Sequence, residues 1–147
     1  MTRIDFYVLP DEDTSGPEAL ACRLCEKAVD GGQRVHVHAP DATLAEAIDR
    51  LLWTFKQGSF VAHERLDGNA ISEPPPAVLI GSGGEPPETH HGVLLNLGAE
   101  VPAFFSRFER VLEIVHGDAA TRARSRDRFK FYRDRGYALE SHKLAAA

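Results

Sequence analysis

The chain is short of the residues that would staple it, anchor it or make it an enzyme. Its two cysteines, Cys22 and Cys25, give no disulfide framework. No stretch approaches the ~20 apolar residues that cross a bilayer. The start, MTRIDFYVLPDED, turns acidic too soon for a secretory leader. Together these absences point to the cytoplasm and away from membranes. No internal repeat or long low-complexity run is present. The turn after the first apolar stretch, PDEDTSGPE, has no G-x-G-x-x-G, and its acids would repel a pyrophosphate. Gly81-Ser82-Gly83-Gly84 lacks the Gly-Lys-Ser/Thr ending of a phosphate loop and precedes prolines rather than a helix. There is no G-x-S-x-G elbow and no convincing carboxylate pair. No catalytic residue and no cofactor are therefore assigned.

Two groups of candidate metal ligands also fail. The C-x-x-C spacing of Cys22 and Cys25 needs either a second ligand pair or a helix N-terminus that stabilises thiolate. Both residues fall inside the first expected helix, so small core positions are the favoured reading. His36 and His38 share a strand face, and His90 and His91 lie beside a Gly-rich loop. No H-x-x-x-H helix and no His–carboxylate cluster stands out, so surface and strand-edge histidines are expected and no metal site.

What is present suits one domain. A chain of 147 residues that is 43% apolar can bury a core without staples. Residues 3–9 read as a strand ended by Pro10. Ser15 and Glu18 have capping-box spacing with Pro17 in the first turn, and a helix is expected over 17–29, stopped by Gly31-Gly32. Residues 34–38 alternate as a second strand. Asp41 can cap a second helix with Leu44, Ile48, Leu51, Leu52 and Phe55 on its apolar face. Residues 56–76 read as loop with a short apolar element at Ser59-Phe60-Val61, and Pro74-Pro75-Pro76 bars helix. Strands are expected over 77–80, 92–97 and 110–115, a short helix near 102–108, and a last helix over 118–135 ended by Gly136. Strand–helix alternation predicts an α/β fold, a single-domain Rossmann-like three-layer arrangement with a mostly parallel sheet and helices on both faces. The closing KLAAA looks like translated cloning-site residues. The domain is therefore read as 1–142, with 143–147 set apart.

Charge is unevenly spread. Residues 122–135 carry a net +5, while the whole chain carries −5. One face of the last helix collects Arg122, Arg126, Phe129, Lys130 and Arg133, with Ser125, Phe129 and Tyr132 on a neighbouring arc. Phe129 thus borders an apolar and a cationic arc, and Gly136-Tyr137-Ala138-Leu139 adds a turn and more apolar surface. That combination suits a peptide with an apolar anchor and flanking acids, held by charge-assisted bonds.

The run Arg126-Asp127-Arg128-Phe129-Lys130-Phe131-Tyr132-Arg133-Asp134-Arg135-Gly136-Tyr137 resembles the signature R-x-R-[YF]-K-x-Y-[RK]-x-x-G-[FY] of the chi subunit of bacterial DNA polymerase III. Leu52-Trp53-Thr54-Phe55, Ser59-Phe60-Val61-Ala62-His63 and Asp5-Phe6-Tyr7-Val8-Leu9 resemble three more stretches of that family. Ala62 stands where the family often has proline, and Phe129 where tyrosine is frequent. The resemblance implies a Rossmann-like fold without nucleotide chemistry and a non-catalytic accessory subunit in DNA replication. It implies binding to the acidic C-terminal tail of single-stranded DNA-binding protein, which ends in phenylalanine. It also implies a link to the clamp-loader complex through the psi subunit where that subunit exists, with DNA met indirectly. Arg126, Phe129, Lys130, Gly136 and Tyr137 match the tail pocket, and Val115 and Arg122 flank it. Trp53, Phe60 and Val61 match the patch for psi or an alternative partner. Two other functions stay open from the residues: direct nucleic-acid binding by the basic helix, and a small nucleotide-binding enzyme.

Overall fold

The computed structural model describes residues 2–13, 16–66 and 71–145. In chain order the elements are β1 (Arg3–Val8), α1 (Glu18–Asp30), β2 (Val35–His38), α2 (Ala42–Thr54), β3 (His63–Arg65), β4 (Val78–Gly81), β5 (Val93–Asn96), β6 (Arg110–Val115), α3 (Ala119–Asp134) and β7 (Ala138–Lys143). The strands form one seven-stranded sheet of order β3-β4-β2-β5-β6-β1-β7. Every pairing in it is parallel.

Helices cover both faces, because strand side chains alternate. Tyr7 of β1 joins the larger apolar cluster, with Leu20 and Leu24 of α1 and Ile48 and Leu52 of α2. Ile4 and Phe6 point the other way, into a second cluster with Phe105, Phe108 and Tyr132 of α3. The inner strands VLIG and VLLN are buried on both faces and so read as continuous apolar runs. Ile48 is fully buried, and its truncation to alanine would cost ~2–5 kcal/mol.

Helix starts follow their caps. The Leu44 N–H donates to the Asp41 carboxylate at 2.9 Å, and the Thr121 N–H to Asp118 at 2.9 Å. At α1 the residue before the helix is Pro17, with no side-chain cap. Ser15, the expected cap, lies outside the described residues. Gly136 closes α3 at φ 81°, and its N–H donates to the Arg133 carbonyl.

Three expectations are corrected. The stretch 56–76, read as loop, contains a short strand at His63–Arg65, where His63 pairs with Val78. The short helix near 102–108 is a single 3-10 turn, Phe105–Arg107. The stretch after Gly136 is more than a turn with apolar surface. It forms β7, which pairs along all of β1 from Ala138 to Lys143, and the Leu144 N–H then donates to the Val8 carbonyl. No helix among the described residues is long and apolar enough to cross a membrane.

Candidate functional site

Helix α3 runs back across β6 and β1, with Ser125, Arg128 and Tyr132 buried beneath it. The Phe129 ring packs edge-on against Phe6 at 5.3 Å. Beside this contact the helix leaves a groove of about 510 Å³, lined on α3 by Arg122, Ser125, Arg126 and Phe129. Phe6, Val8, Val115, Ser141 and Lys143 supply the sheet side, and Asp11 stands on the loop after β1. The floor is apolar where Phe6, Val8, Val115 and Phe129 meet, and cations stand around it.

The groove brings together Val115, Arg122, Arg126 and Phe129 of the residues expected from sequence. It leaves out Lys130, exposed one turn beyond Arg126, and Gly136 at the helix end. Tyr137 is also outside, with its ring 5.1 Å from Phe105. Tyr137 precedes Ser141 by four residues, which is ~13 Å along an extended strand. Phe6, Val8, Ser141 and Lys143 were not picked out from sequence. The two-residue repeat of β1 could have flagged Phe6 and Val8. The contribution of β7 needed its pairing with β1.

Most of the basic segment is already engaged. Arg122 donates to the carbonyls of Gly117, Leu9, Pro10 and Asp13. Arg133 bonds Asp134, and Arg135 stacks over the Phe131 ring at 3.6 Å. Arg128 is buried against Glu113 at 2.9 Å. Arg124, Arg126 and Lys130 alone in the segment make no hydrogen bond or ion pair among the described residues. Arg126 is the one of these that lines the groove.

Beneath the groove lies a buried polar network that fixes α3 in register. Arg128 Nε donates to Glu113 Oε1 at 2.9 Å, Nη1 to the Ala99 carbonyl at 3.0 Å and Nη2 to Ser125 Oγ at 3.1 Å. The other Glu113 oxygen accepts from Asn96 Nδ2 at 2.9 Å and the Tyr132 hydroxyl at 2.6 Å. Burial pushes the Glu113 carboxyl up, while Arg128, Tyr132 and Asn96 pull it down, and the net direction is upward. Burial beside Glu113 also raises the Tyr132 phenol, which stays the donor.

Comparison with known proteins shows the family. The family model for the DNA polymerase III chi subunit, HolC, matches residues 1–140. The chain belongs to the DNA polymerase III chi family. It is 42% identical over 144 residues to the chi subunit of Pseudomonas aeruginosa, covering 98% of each chain. It is 30% identical over 139 residues to that of Haemophilus influenzae, covering 95% of each. It is 27% identical to that of Escherichia coli K12 over 96% of this chain and 97% of the relative. Chi is an accessory subunit of the replicative polymerase, which puts this chain's work in DNA replication. Among solved structures, T4 UvsW matches with a TM-score of 0.71 at 9% identity, over 97% of this chain and 41% of that one. At that identity the likeness concerns the fold alone.

The tryptophan-containing motif of the chi-like sequence lies at the other end of the sheet. Trp53 is 59% exposed and Phe60 72%, with ring centroids 5.9 Å apart. Trp53 also lies 4.8 Å from the ring of His63 on β3. Single exposed apolar residues are common, but two large adjacent rings form a patch. Val61, expected with them, is buried in the core and is not part of the exposed patch. Ser59 and Lys56 hold the loop to Glu26 of α1.

Cys22 and Cys25 are both fully buried, and burial pushes both thiols up, Cys22 to about 12. Such thiols neither ionise nor reach solvent readily. Folding does create a His–carboxylate group that the sequence did not reveal. Ligand atoms of Asp5, Glu140 and His142 lie within 4.8 Å of one another. Asp5 is already paired there with Arg110 at 2.7 Å and Arg3 at 3.3 Å. These guanidinium groups compete with any cation for its oxygens.

Proposed function

We propose that this chi-family chain is a non-catalytic bridge in the replication machinery. In this reading the groove beside α3 binds the acidic C-terminal tail of single-stranded DNA-binding protein. The Trp53–Phe60 patch takes psi, or another partner in cells without psi, and so joins the tail to the clamp loader. The observation that carries it is the groove itself. An apolar floor of Phe6, Val8, Val115 and Phe129 sits beside an unpaired Arg126, which suits a peptide ending in an apolar residue with a free carboxylate. Burying one aromatic side chain supplies ~1.5–3 kcal/mol. A charge-assisted bond adds ~1.5–3 kcal/mol. After association costs, this supports a complex of about micromolar affinity.

The test is a titration of a labelled acidic peptide ending in Pro-Phe, followed by fluorescence anisotropy. Arg126→Ala should weaken binding about ten- to a hundredfold. Unchanged affinity would remove the groove from the reading. Single-stranded DNA titrated alone at moderate salt provides the contrast. A chain with net charge −5 and so few unengaged cations on α3 is a poor phosphate tracker.

A further inference from the structure

The groove assigned above to an acidic tail already contains an acid. Asp11 lines it, and its side chain is 97% exposed. Its carboxylate lies 3.6 Å from Nη1 of Arg122. The family resemblance sets Arg122 at the flank of the tail pocket, but its bonding leaves little to offer a peptide. Nε donates to Gly117 O at 2.9 Å, Nη1 to Leu9 O at 3.1 Å, and Nη2 to Pro10 O at 2.8 Å and Asp13 O at 3.3 Å. A guanidinium has five N–H donors. Four are therefore spent on backbone carbonyls, and they tie the loop after β1 to the turn before α3. The fifth, on Nη1, is the one within reach of Asp11.

We infer that Arg122 is a strut for the groove wall and that Asp11 is a resident anion, which an incoming acidic peptide must outcompete or push aside. This rests on the peptide-binding reading above. Asp11 belongs to the lining, so its charge acts on carboxylates held in the groove, weakened by its exposure and by salt. It lowers affinity for acidic sequences and sets how many acids the peptide needs. The neighbouring Glu12 is also exposed but does not line the groove.

The experiment titrates the same labelled acidic peptide against wild type, Asp11→Asn and Glu12→Gln at low and high salt, with thermal midpoints measured in parallel. Both substitutions change the net charge equally, so a difference between them reports position. Asp11→Asn should bind about two- to fivefold tighter at low salt, the range of an exposed ion pair, and the gain should shrink at high salt. Glu12→Gln should change less, and a peptide with its acidic side chains replaced by amides should gain less from Asp11→Asn than the acidic peptide does. Equal or weaker binding by Asp11→Asn, with wild type binding well and midpoints unchanged, overturns this inference alone. An equal gain from Glu12→Gln also overturns it, by showing a general charge effect. Absence of binding by wild type overturns the peptide reading and this inference with it.

Discussion

Arg128→Ala tests whether the buried pair under α3 holds the functional face in place. Glu113 is fully buried, and the Arg128 side chain is 10% exposed. The substitution removes three hydrogen bonds and leaves a carboxylate in the interior with only Asn96 and Tyr132 as donors. Breaking one partner of a buried pair costs ~3–5 kcal/mol, far more than the pair contributes over apolar residues of like shape. With a urea slope of ~2 kcal/mol per molar, the midpoint should fall by about 1.5–2.5 M. Arg128 is the largest influence pulling the Glu113 carboxyl down, so its loss lets burial push that group further up.

The pH dependence follows from that direction. A carboxyl raised above its unfolded value holds its proton more tightly in the folded state. The variant is then most stable below the ordinary carboxylate range, and it loses stability as pH rises through that range toward the raised folded value. Its deficit against wild type should be wider at pH 8 than at pH 5. The double variant Glu113→Gln/Arg128→Met should recover much of the loss, because no charge is left stranded. Circular dichroism at both pH values reads all three proteins. A loss under ~1 kcal/mol without pH dependence would refute the argument that this pair pins the helix.

Gly136→Ala should lower the thermal midpoint by about 2–6 °C, because φ 81° costs an L-residue ~1 kcal/mol or more. An unchanged midpoint in calorimetry would mean that the turn relaxes. His36 is buried with neither ring nitrogen bonded among the described residues, and burial, then His38, His90 and His91, push it down to about 3. The unfolded chain then binds the extra proton, so stability is lost as pH falls from the ordinary histidine value of 6.5 toward 3. His36→Leu should flatten that acid limb and stabilise the protein by ~1 kcal/mol at neutral pH, read by urea denaturation at pH 5 and pH 7.

Much of the fold was legible because its inner strands are apolar and two of its helices, α2 and α3, are capped by carboxylates. Asp41 and Asp118 announce α2 and α3, and continuous apolar runs announce β4 and β5. The edges were not legible. The strands HER and ALESHK are polar, because an edge strand is paired on one side and wetted on the other. Missing β7 hid Ser141, and Lys143 was set apart with the closing residues, so the outer wall of the groove went unseen. The basic segment was readable as charge but not as availability. Arg128 and Arg126 lie two residues apart, about 200° around the helix, so one turns inward to Glu113 while the other faces the groove. Nothing in the spacing of Arg122 showed that backbone carbonyls of the loop after β1 would take most of its donors.

The strand order has a consequence for the bridging role proposed above. The Trp53–Phe60 patch sits at the β3 edge through the contact with His63, and the groove sits at the β7 edge. Strands lie ~4.8 Å apart, so six spacings separate those edges by about 29 Å. Two partners held at that distance would not touch each other's side chains, and their charges would be screened from one another. Occupancy of one surface then has no direct route to alter the other. A bridge of this kind works by raising local concentration, with affinities that multiply through tethering rather than through a conformational change. The inner strands between the surfaces are buried on both faces, and a close-packed interior of that kind makes a stiff spacer.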